Sequence, residues 1–306
     1  MIKKIVITNY LGNSLELDLS RPEKSGFAIK SIDGLGPAKG NVNMTEISTN
    51  DGSQFNSARL SNRNLVFNLM FVETDTETIE DIRQKSYRYF PVKKRLTITV
   101  KTDNRTLETS GYVESNEPDI FSETEGCQIS IVCGNPYFYS AGEDGTNETD
   151  FYGVTPAFEF PFSNESLVEP LLEMGIIEIR SENVVTYEGD ADIGITITIH
   201  AVGEATNITI YNIGTREEMF IDTEKFAAIV GSGIQFGDDI IITTIRGEKG
   251  IVLLRDGVTT NILNCLGKGS TWFSLTKGDN LFAYTAETGG INLQFKIVNR
   301  VIYEGV

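Results

Sequence analysis

The sequence predicts a mostly β protein with two structured parts. Most of its 306 residues alternate apolar and polar side chains with period two, and they are rich in Ile, Val, Thr, Phe and Tyr. A segment without hydrophobic residues, 142–150, interrupts this pattern. Because such a segment contributes nothing to a core, we predict a linker over 142–154 between domains 1–141 and 155–306.

The first domain shows short strands and one long polar stretch. Residues 1–17 have the pattern of a hairpin with its turn near Gly12 and Asn13. Further strands are predicted at Leu65–Val72, Leu96–Val100, Gly111–Val113 and Cys127–Cys133. The stretch Lys39–Arg63 contains a turn sequence at 50–52, which predicts a long β-hairpin arm with little core of its own.

One helix is predicted in this domain, over Thr76–Phe90. The spacing of Thr74 and Glu77 matches a capping box, and Pro91 ends the helical pattern. Ile79 and Ile82 form an apolar stripe, so the helix is expected to dock on a sheet.

The second domain is predicted to contain strands only. Four isoleucines alternate over Ile193–Ile199 and therefore share one face. Further strands are predicted at Asn207–Asn212, Ile240–Thr244, Ile251–Leu254, Leu281–Thr285 and Ile291–Val298. Short strands separated by Gly-containing turns are typical of a β-sandwich or jelly roll.

The chain is acidic throughout. It has 26 Lys and Arg against 43 Asp and Glu, a net charge of −17, which divides into −6 for residues 1–150 and −11 for 151–306. This charge argues against phosphate-neutralising nucleic-acid binding and against docking on anionic lipid. No segment has the roughly 18 apolar residues of a spanning helix, and the start lacks a signal-peptide pattern, so we expect synthesis in the cytoplasm and no membrane insertion.

The search for chemistry gives no catalytic, cofactor-binding or metal-binding residue. His200 is the single histidine, and it alternates with the isoleucine face, which predicts a solvent-facing strand position. No Ser/His/Asp or Cys/His nucleophile–base pair can be assembled without this histidine, and its solvent-facing strand position argues against catalysis. Cys127 and Cys133 share one face of a strand with Ile129 and Ile131 and are expected in the core. With one histidine and no cysteine pair, zinc and iron sites are nearly excluded.

Four weaker sequence patterns are better explained by structural roles than by catalysis or ligand binding. Gly34–Gly40 lacks the ending of a phosphate loop, and Gly231–Gly233 is not a nucleophile elbow. Asp190 and Asp192 are expected on a turn rather than in a calcium loop. Trp272 is expected in the core, with an exposed sugar-stacking position as the alternative. A glycoside hydrolase needs only two opposed carboxylates and has no specific support.

Several segments in a fixed order make the first half resemble a known family. They are Ile32–Gly36, Asp51-Gly52, Arg59 with Arg63-Asn64-Leu65, the helix Thr76–Phe90 with Pro91, Leu96–Ile98, Gly111–Val113 and Cys133–Tyr139. Together they are similar to the N-terminal domain of siphophage distal tail proteins. The second half resembles the C-terminal domain of the same family through Thr155–Pro161, Glu188–Asp190, Trp272–Asn280 and Tyr303–Val306.

The resemblance implies a structural, non-enzymatic role. Family members form a homohexameric ring that joins the tail tube to the tail-associated fibre or lysin protein at the virion tail tip. The tape measure protein is a further expected partner, and a galectin-like β-sandwich projects from the ring. The moderate charge of the first half suits a channel that DNA crosses without adhering. The alternative is a carbohydrate-binding adhesion module that acts through the C-terminal sandwich.

Overall fold

The protein forms two compact units in the computed structural model, which describes residues 1–48, 51–142, 145–156 and 175–306. One unit comprises Met1–Gly145 together with Ile302–Val306, and the other comprises Thr146–Val301. The chain therefore leaves the first unit, builds the second and returns to the first for its last residues.

The secondary structure is dominated by short strands. In the first unit they are β1 (Ile2–Thr8), β2 (Ser14–Asp18), β3 (Phe27–Asp33), β4 (Gly40–Glu46), β5 (Ser53–Leu60), β6 (Arg63–Phe71), β7 (Arg95–Thr102), β8 (Thr106–Asp119), β9 (Gly126–Cys133) and β10 (Phe138–Ser140). In the second unit they are β11 (Thr146–Asp150), β12 (Tyr152–Pro156), β13 (Gly175–Ile179), β14 (Glu182–Tyr187), β15 (Ile193–Gly194), β16 (Thr196–Ala201), β17 (Thr206–Asn212), β18 (Glu217–Ile221), β19 (Asp239–Thr243), β20 (Gly250–Arg255), β21 (Val258–Asn261), β22 (Ser274–Leu275), β23 (Gly278–Thr288) and β24 (Leu293–Arg300). The last strand, β25 (Ile302–Tyr303), belongs to the first unit. The helices are α1 (Ile79–Tyr89) and α2 (Thr223–Val230), with 3-10 turns at Pro22–Lys24, Leu263–Cys265 and Gly290–Asn292.

The first unit is built on one antiparallel sheet. Its strand order is β2-β1-β7-β8-β9-β6-β3, with β10 beside β8 and β25 beside β10. Strand β6 illustrates the pattern, because alternate residues from Leu65 to Phe71 are buried. Cys127 and Cys133 of β9 are buried with Ile129 and Ile131, which confirms the predicted apolar face.

The helix α1 is confirmed, but its N-terminus is not where the sequence predicts it. Thr78 is the N-cap and forms the capping box with Asp81, whereas Thr74 accepts from the Thr76 and Glu77 N–H groups at 3.3 and 2.9 Å, before the helix begins. The two Thr-x-x-acid spacings, 74–77 and 78–81, follow each other directly in sequence, and the second one forms the capping box. Ile82 is fully buried against Gly26, where a Cβ atom would lie only 2.8 Å from the Ile82 side chain.

The linker prediction for 142–154 is wrong over much of its length. Thr146–Asp150 forms β11, which pairs antiparallel with β24, and Tyr152–Pro156 forms β12. An edge strand needs only backbone hydrogen bonds on one side, so it does not require the apolar residues that this segment lacks. The residues from Ile302 onwards also depart from the predicted second domain, because β25 pairs with β10.

The second unit packs two main sheets face to face. One has the order β11-β24-β16-β19-β20-β21 and the other β14-β23-β17-β18. The rings of Tyr284 on β23 and Phe295 on β24 stack across them with centroids 3.7 Å apart. The predicted isoleucine face is confirmed, since its four members from Ile193 to Ile199 are all buried. This arrangement is the expected β-sandwich.

The expectation of strands only in the second unit is wrong, because α2 lies between β18 and β19. Asp222 caps it by accepting from the Glu224 and Lys225 N–H groups, and Gly231 ends it in a left-handed conformation with φ of 88°. Phe226 anchors it in the core. The caps were present in the sequence, but eight residues are too few for a helical repeat to stand out among strands. Neither α1 nor α2, the helices in the described parts of the chain, is long and apolar enough to cross a membrane.

Candidate assembly surface

The β4–β5 hairpin, here called the arm, is the most exposed element of the first unit. Its strands pair only with each other among the described residues. Every residue of β4 is exposed, and in β5 only Leu60 is partly covered. The Ser61 N–H donates to the Lys39 carbonyl at 2.8 Å and closes the arm at its base. The predicted long hairpin is therefore confirmed.

The arm has one apolar and one polar face. In an antiparallel pair, directly opposite residues lie on the same side of the sheet. The register pairs Val42 with Ala58 and Met44 with Phe55, with a bulge between these pairs. Val42, Met44 and Phe55 are 50%, 59% and 58% exposed. The other face carries amides and hydroxyls, including Asn43, which donates to Ser57 at 3.1 Å.

The base of the arm is fixed by a buried arginine. Arg63 is the first residue of β6, is in phase with the buried residues of that strand and is only 2% exposed. Its Nε donates to the Pro136 carbonyl at 2.8 Å, and its Nη1 donates to the carbonyls of Gly36 at 2.6 Å and of Gly34. Its Nη2 donates to the Glu304 carbonyl at 2.6 Å. The guanidinium also lies 4.4 Å from the centroid of the Phe138 ring.

All four acceptors around Arg63 are neutral carbonyls, and no carboxylate of the described residues forms an ion pair with it. Burial accordingly lowers the pKa of the Arg63 guanidinium from its usual value.

The loop that Arg63 binds requires glycine at position 34. Gly34 has φ of +89°, and a Cβ atom there would lie 2.0 Å from the Asn64 carbonyl oxygen, so only glycine fits this loop. The Val306 N–H donates to the Leu35 carbonyl at 3.0 Å. Arg63 thus joins the loop before the arm, the segment after β9 and the C-terminal residues.

The sequence did not predict this role for Arg63. The sequence feature that could have revealed it is the phase of Arg63, which falls on the same apolar side of the strand as Leu65 and Phe67. The Gly34–Gly40 loop, which lacks the ending of a phosphate loop, presents the carbonyls of Gly34 and Gly36 to this arginine.

The remaining polar candidates for chemistry belong to the second unit. His200 is 40% exposed on β16 as predicted, with Nδ1 2.7 Å from Asp239 Oδ1 on β19. Asp190 and Asp192 are exposed near a turn, and Lys277 Nζ lies 3.9 Å from Asp190 Oδ1. No group of three or more His, Cys, Asp or Glu side chains among the described residues could hold a metal ion.

The two remaining patterns have structural roles. Gly231 ends α2, while Ser232 and Gly233 accept hydrogen bonds from the guanidinium of Arg255 at 2.6 and 2.9 Å. Trp272 is half-buried rather than in the core, and Lys249 Nζ lies 5.5 Å from the centroid of its ring. The neighbouring Phe273 occupies the core position instead, because it is 1% exposed.

Comparison with known proteins gives structural likeness only. No protein-family model matches the chain, and no curated protein matches it in sequence. Among solved structures it is similar to the SPP1 Dit protein, described as a paradigm of the hub adsorption apparatus in phages that infect Gram-positive bacteria. The TM-score is 0.67 with 14% identity, covering 97% of this chain and 98% of that one. It is also similar to a chain of the phage P2 baseplate in its activated conformation with Ca, with a TM-score of 0.50, 10% identity and 98% of each chain covered. Over nearly its whole length, the chain therefore has the fold of a phage tail hub protein.

Proposed function

We propose that this chain is a structural, non-enzymatic hub of a phage or prophage tail tip. The observation that carries the proposal is the match to the SPP1 Dit protein over 97% of the chain, which includes both units. In this proposal the chain is made in the cytoplasm of the bacterial host and assembles at the virion tail tip. It forms a homohexameric ring between the tail tube and the tail-associated fibre or lysin protein, with the tape measure protein as a further neighbour.

The arm supplies contacts between subunits in this proposal. A two-stranded ribbon is only marginally stable alone, and an apolar face without a core beneath it gains free energy when a neighbour covers it. The face with Val42, Met44 and Phe55 meets this description. A ring requires that one patch of a subunit bind a different patch of the next one. An arm extending from the main sheet is suited to such a head-to-tail contact.

The ring leaves a channel for DNA. The first 150 residues carry a net charge of −6, from 16 basic and 22 acidic residues. A lumen of this character repels phosphate and lets DNA pass without adhering. A ring structure in which Lys and Arg side chains line the lumen would contradict this part of the proposal.

The mass in solution tests the ring. We expect light scattering of the purified protein to give six times the 33.8 kDa of one chain, and negative-stain microscopy to show rings. Deletion of Asn43–Asn56, or substitution of Val42, Met44 and Phe55 by serine, should shift the mass toward one chain. The matched control substitutes Asn41, Thr45 and Gln54 of the polar face by serine and should leave the ring intact. An unchanged hexamer in both the deletion variant and the triple serine variant would show that the arm does not hold the ring together.

A further inference from the structure

The first unit carries an exposed cluster of basic residues, here called the basic patch. It consists of Arg88 in the last turn of α1, Lys93 and Lys94 in the following turn, and Arg95 at the start of β7, all of them exposed. None of the four forms an ion pair among the described residues. On a chain with a net charge of −17, this patch is available to an acidic partner.

Aromatic and apolar side chains surround the basic patch. Tyr10, Tyr112 and Val92 are 52%, 58% and 47% exposed. Lys94 Nζ lies 5.1 Å from the centroid of the Tyr10 ring, and Arg95 is the cross-strand neighbour of Tyr112. Tyrosine and arginine are the residue types that are enriched at protein–protein interfaces, whereas the rest of a protein surface has fewer of them. The patch therefore has the composition of a protein-binding surface.

Backbone hydrogen bonds hold the basic patch in place. The Lys93 N–H donates to the Val113 carbonyl at 2.8 Å, and the Val113 N–H donates to the Lys94 carbonyl at 3.1 Å. Asn9 donates to the Arg88 carbonyl at 3.4 Å and ties the end of α1 to the β1–β2 turn. Lys93 has a left-handed backbone, φ of 67°, which is unfavourable for a residue with a side chain. A surface fixed in this way loses little conformational entropy when a partner binds.

The β8–β9 hairpin ends in a surface of opposite charge, here called the acidic tip. Asp119 and Glu123 are exposed, and neither forms an ion pair among the described residues. Between them in sequence, Ile120 and Phe121 are 41% and 94% exposed. The acidic tip thus presents an aromatic ring between two unpaired carboxylates.

The basic patch and the acidic tip match each other in charge and in apolar character. Within one chain no ion pair joins them, and about 20 Å of β8 separates Val113, which is bonded to the patch, from Asp119. A nucleic acid would complement the cations but would be repelled by a chain of net charge −17. A short protein segment with carboxylates beside an aromatic ring complements both the cations and the apolar side chains. We propose that the basic patch of one copy of this chain binds the acidic tip of a neighbouring copy.

This contact rests on the proposed ring and names a pair of surfaces that would hold it. Two different patches of the first unit bind each other, which is the head-to-tail geometry that a closed ring requires. The contact shares no residue with the arm, so the two can be tested separately. Complementary charges at such a contact determine which surfaces pair and accelerate their encounter.

Charge reversal in the full chain, followed by light scattering, tests the contact. Lys93→Glu with Lys94→Glu reverses the basic patch, and Asp119→Lys with Glu123→Lys reverses the acidic tip. Each doubly substituted variant alone should fall to the 33.8 kDa of one chain, because like charges then face each other. The variant with all four substitutions should regain the mass of the parent, since its two surfaces are again opposite in charge. An equimolar mixture of the two doubly substituted variants should regain it as well.

Two controls separate this contact from general charge repulsion and from misfolding. The tip-reversed variant is less acidic than the parent, so general repulsion predicts stronger association, whereas the contact predicts its loss. Lys93→Gly adopts a positive φ without strain and should fold as well as the parent while associating more weakly.

Two results would overturn this contact alone. One is an unchanged oligomer in both doubly substituted variants. The other is failure of both the mixture and the four-substitution variant to regain the parent's mass, although circular dichroism shows that all variants are folded. A parent that stays a single chain at every concentration would contradict the proposed ring together with this contact.

Discussion

Arg63 shows how one side chain can hold distant segments of the chain together. Its four carbonyl partners, Pro136, Gly34, Gly36 and Glu304, come from three separate segments. We predict that Arg63→Met lowers the free energy of unfolding of the first unit by about 2–4 kcal/mol, because the methionine keeps the volume but leaves buried carbonyls without donors. Urea unfolding followed by circular dichroism measures this. Arg59→Met, on the exposed arm, is the control and should change stability by less than about 0.5 kcal/mol.

The cysteines make a second residue-scale prediction. Burial raises the pKa of the Cys127 thiol to about 12, so the folded chain keeps a proton that the unfolded chain releases near pH 9. The folded state then binds more protons, and the free energy of unfolding should fall as pH rises from 9 toward 12. At pH 8 the three buried thiols should resist a thiol reagent and react fully in urea. Rapid labelling of Cys127 in the native protein would contradict this.

At the scale of elements, the contributions of Thr78 and Thr74 to the start of α1 can be measured separately. Thr78 accepts from the Asp81 N–H inside the helix, whereas Thr74 accepts only from the Thr76 and Glu77 N–H groups of the preceding turn. We expect Thr78→Ala to cost about 1 kcal/mol of stability. Thr74→Ala should cost clearly less when both variants are measured by thermal unfolding. Equal losses would mean that the preceding turn is as important to the helix start as the capping box.

The strands could be predicted because their cause is local. A buried face fixes the alternation of apolar residues, as in β6 and β16. The failures, β11 and α2, have other causes: β11 depends on the free edge of β24, and α2 is too short to show a repeat. For the candidate surface, the arm was predictable from its turn and polarity. Its apolar face was not, because the bulge in its register decides which residues share a side.

At the scale of the whole molecule, long-range contacts limit how much of the fold can be predicted from the sequence. Arg63 and Glu304 are 241 positions apart, and no local pattern predicts that they meet. The same contact explains why the last residues belong to the first unit: β25 pairs with β10, and Val306 bonds to the loop at Leu35. The second unit is thus inserted between β10 and β25, and the first unit is completed only after the second has been made.

Because of this insertion, we expect removal of the last residues of the chain to destabilise the first unit and not the second. Removing Ile302–Val306 takes away β25 and the Glu304 carbonyl, while every strand of the second unit remains. Hydrogen exchange should therefore show faster opening of β10 and the Gly34–Gly36 loop, with unchanged protection of β16 and β24. Arg59→Met, on the exposed arm, is the control and should exchange like the parent in both regions. Equal loss of protection in both units would mean that they unfold as one cooperative body.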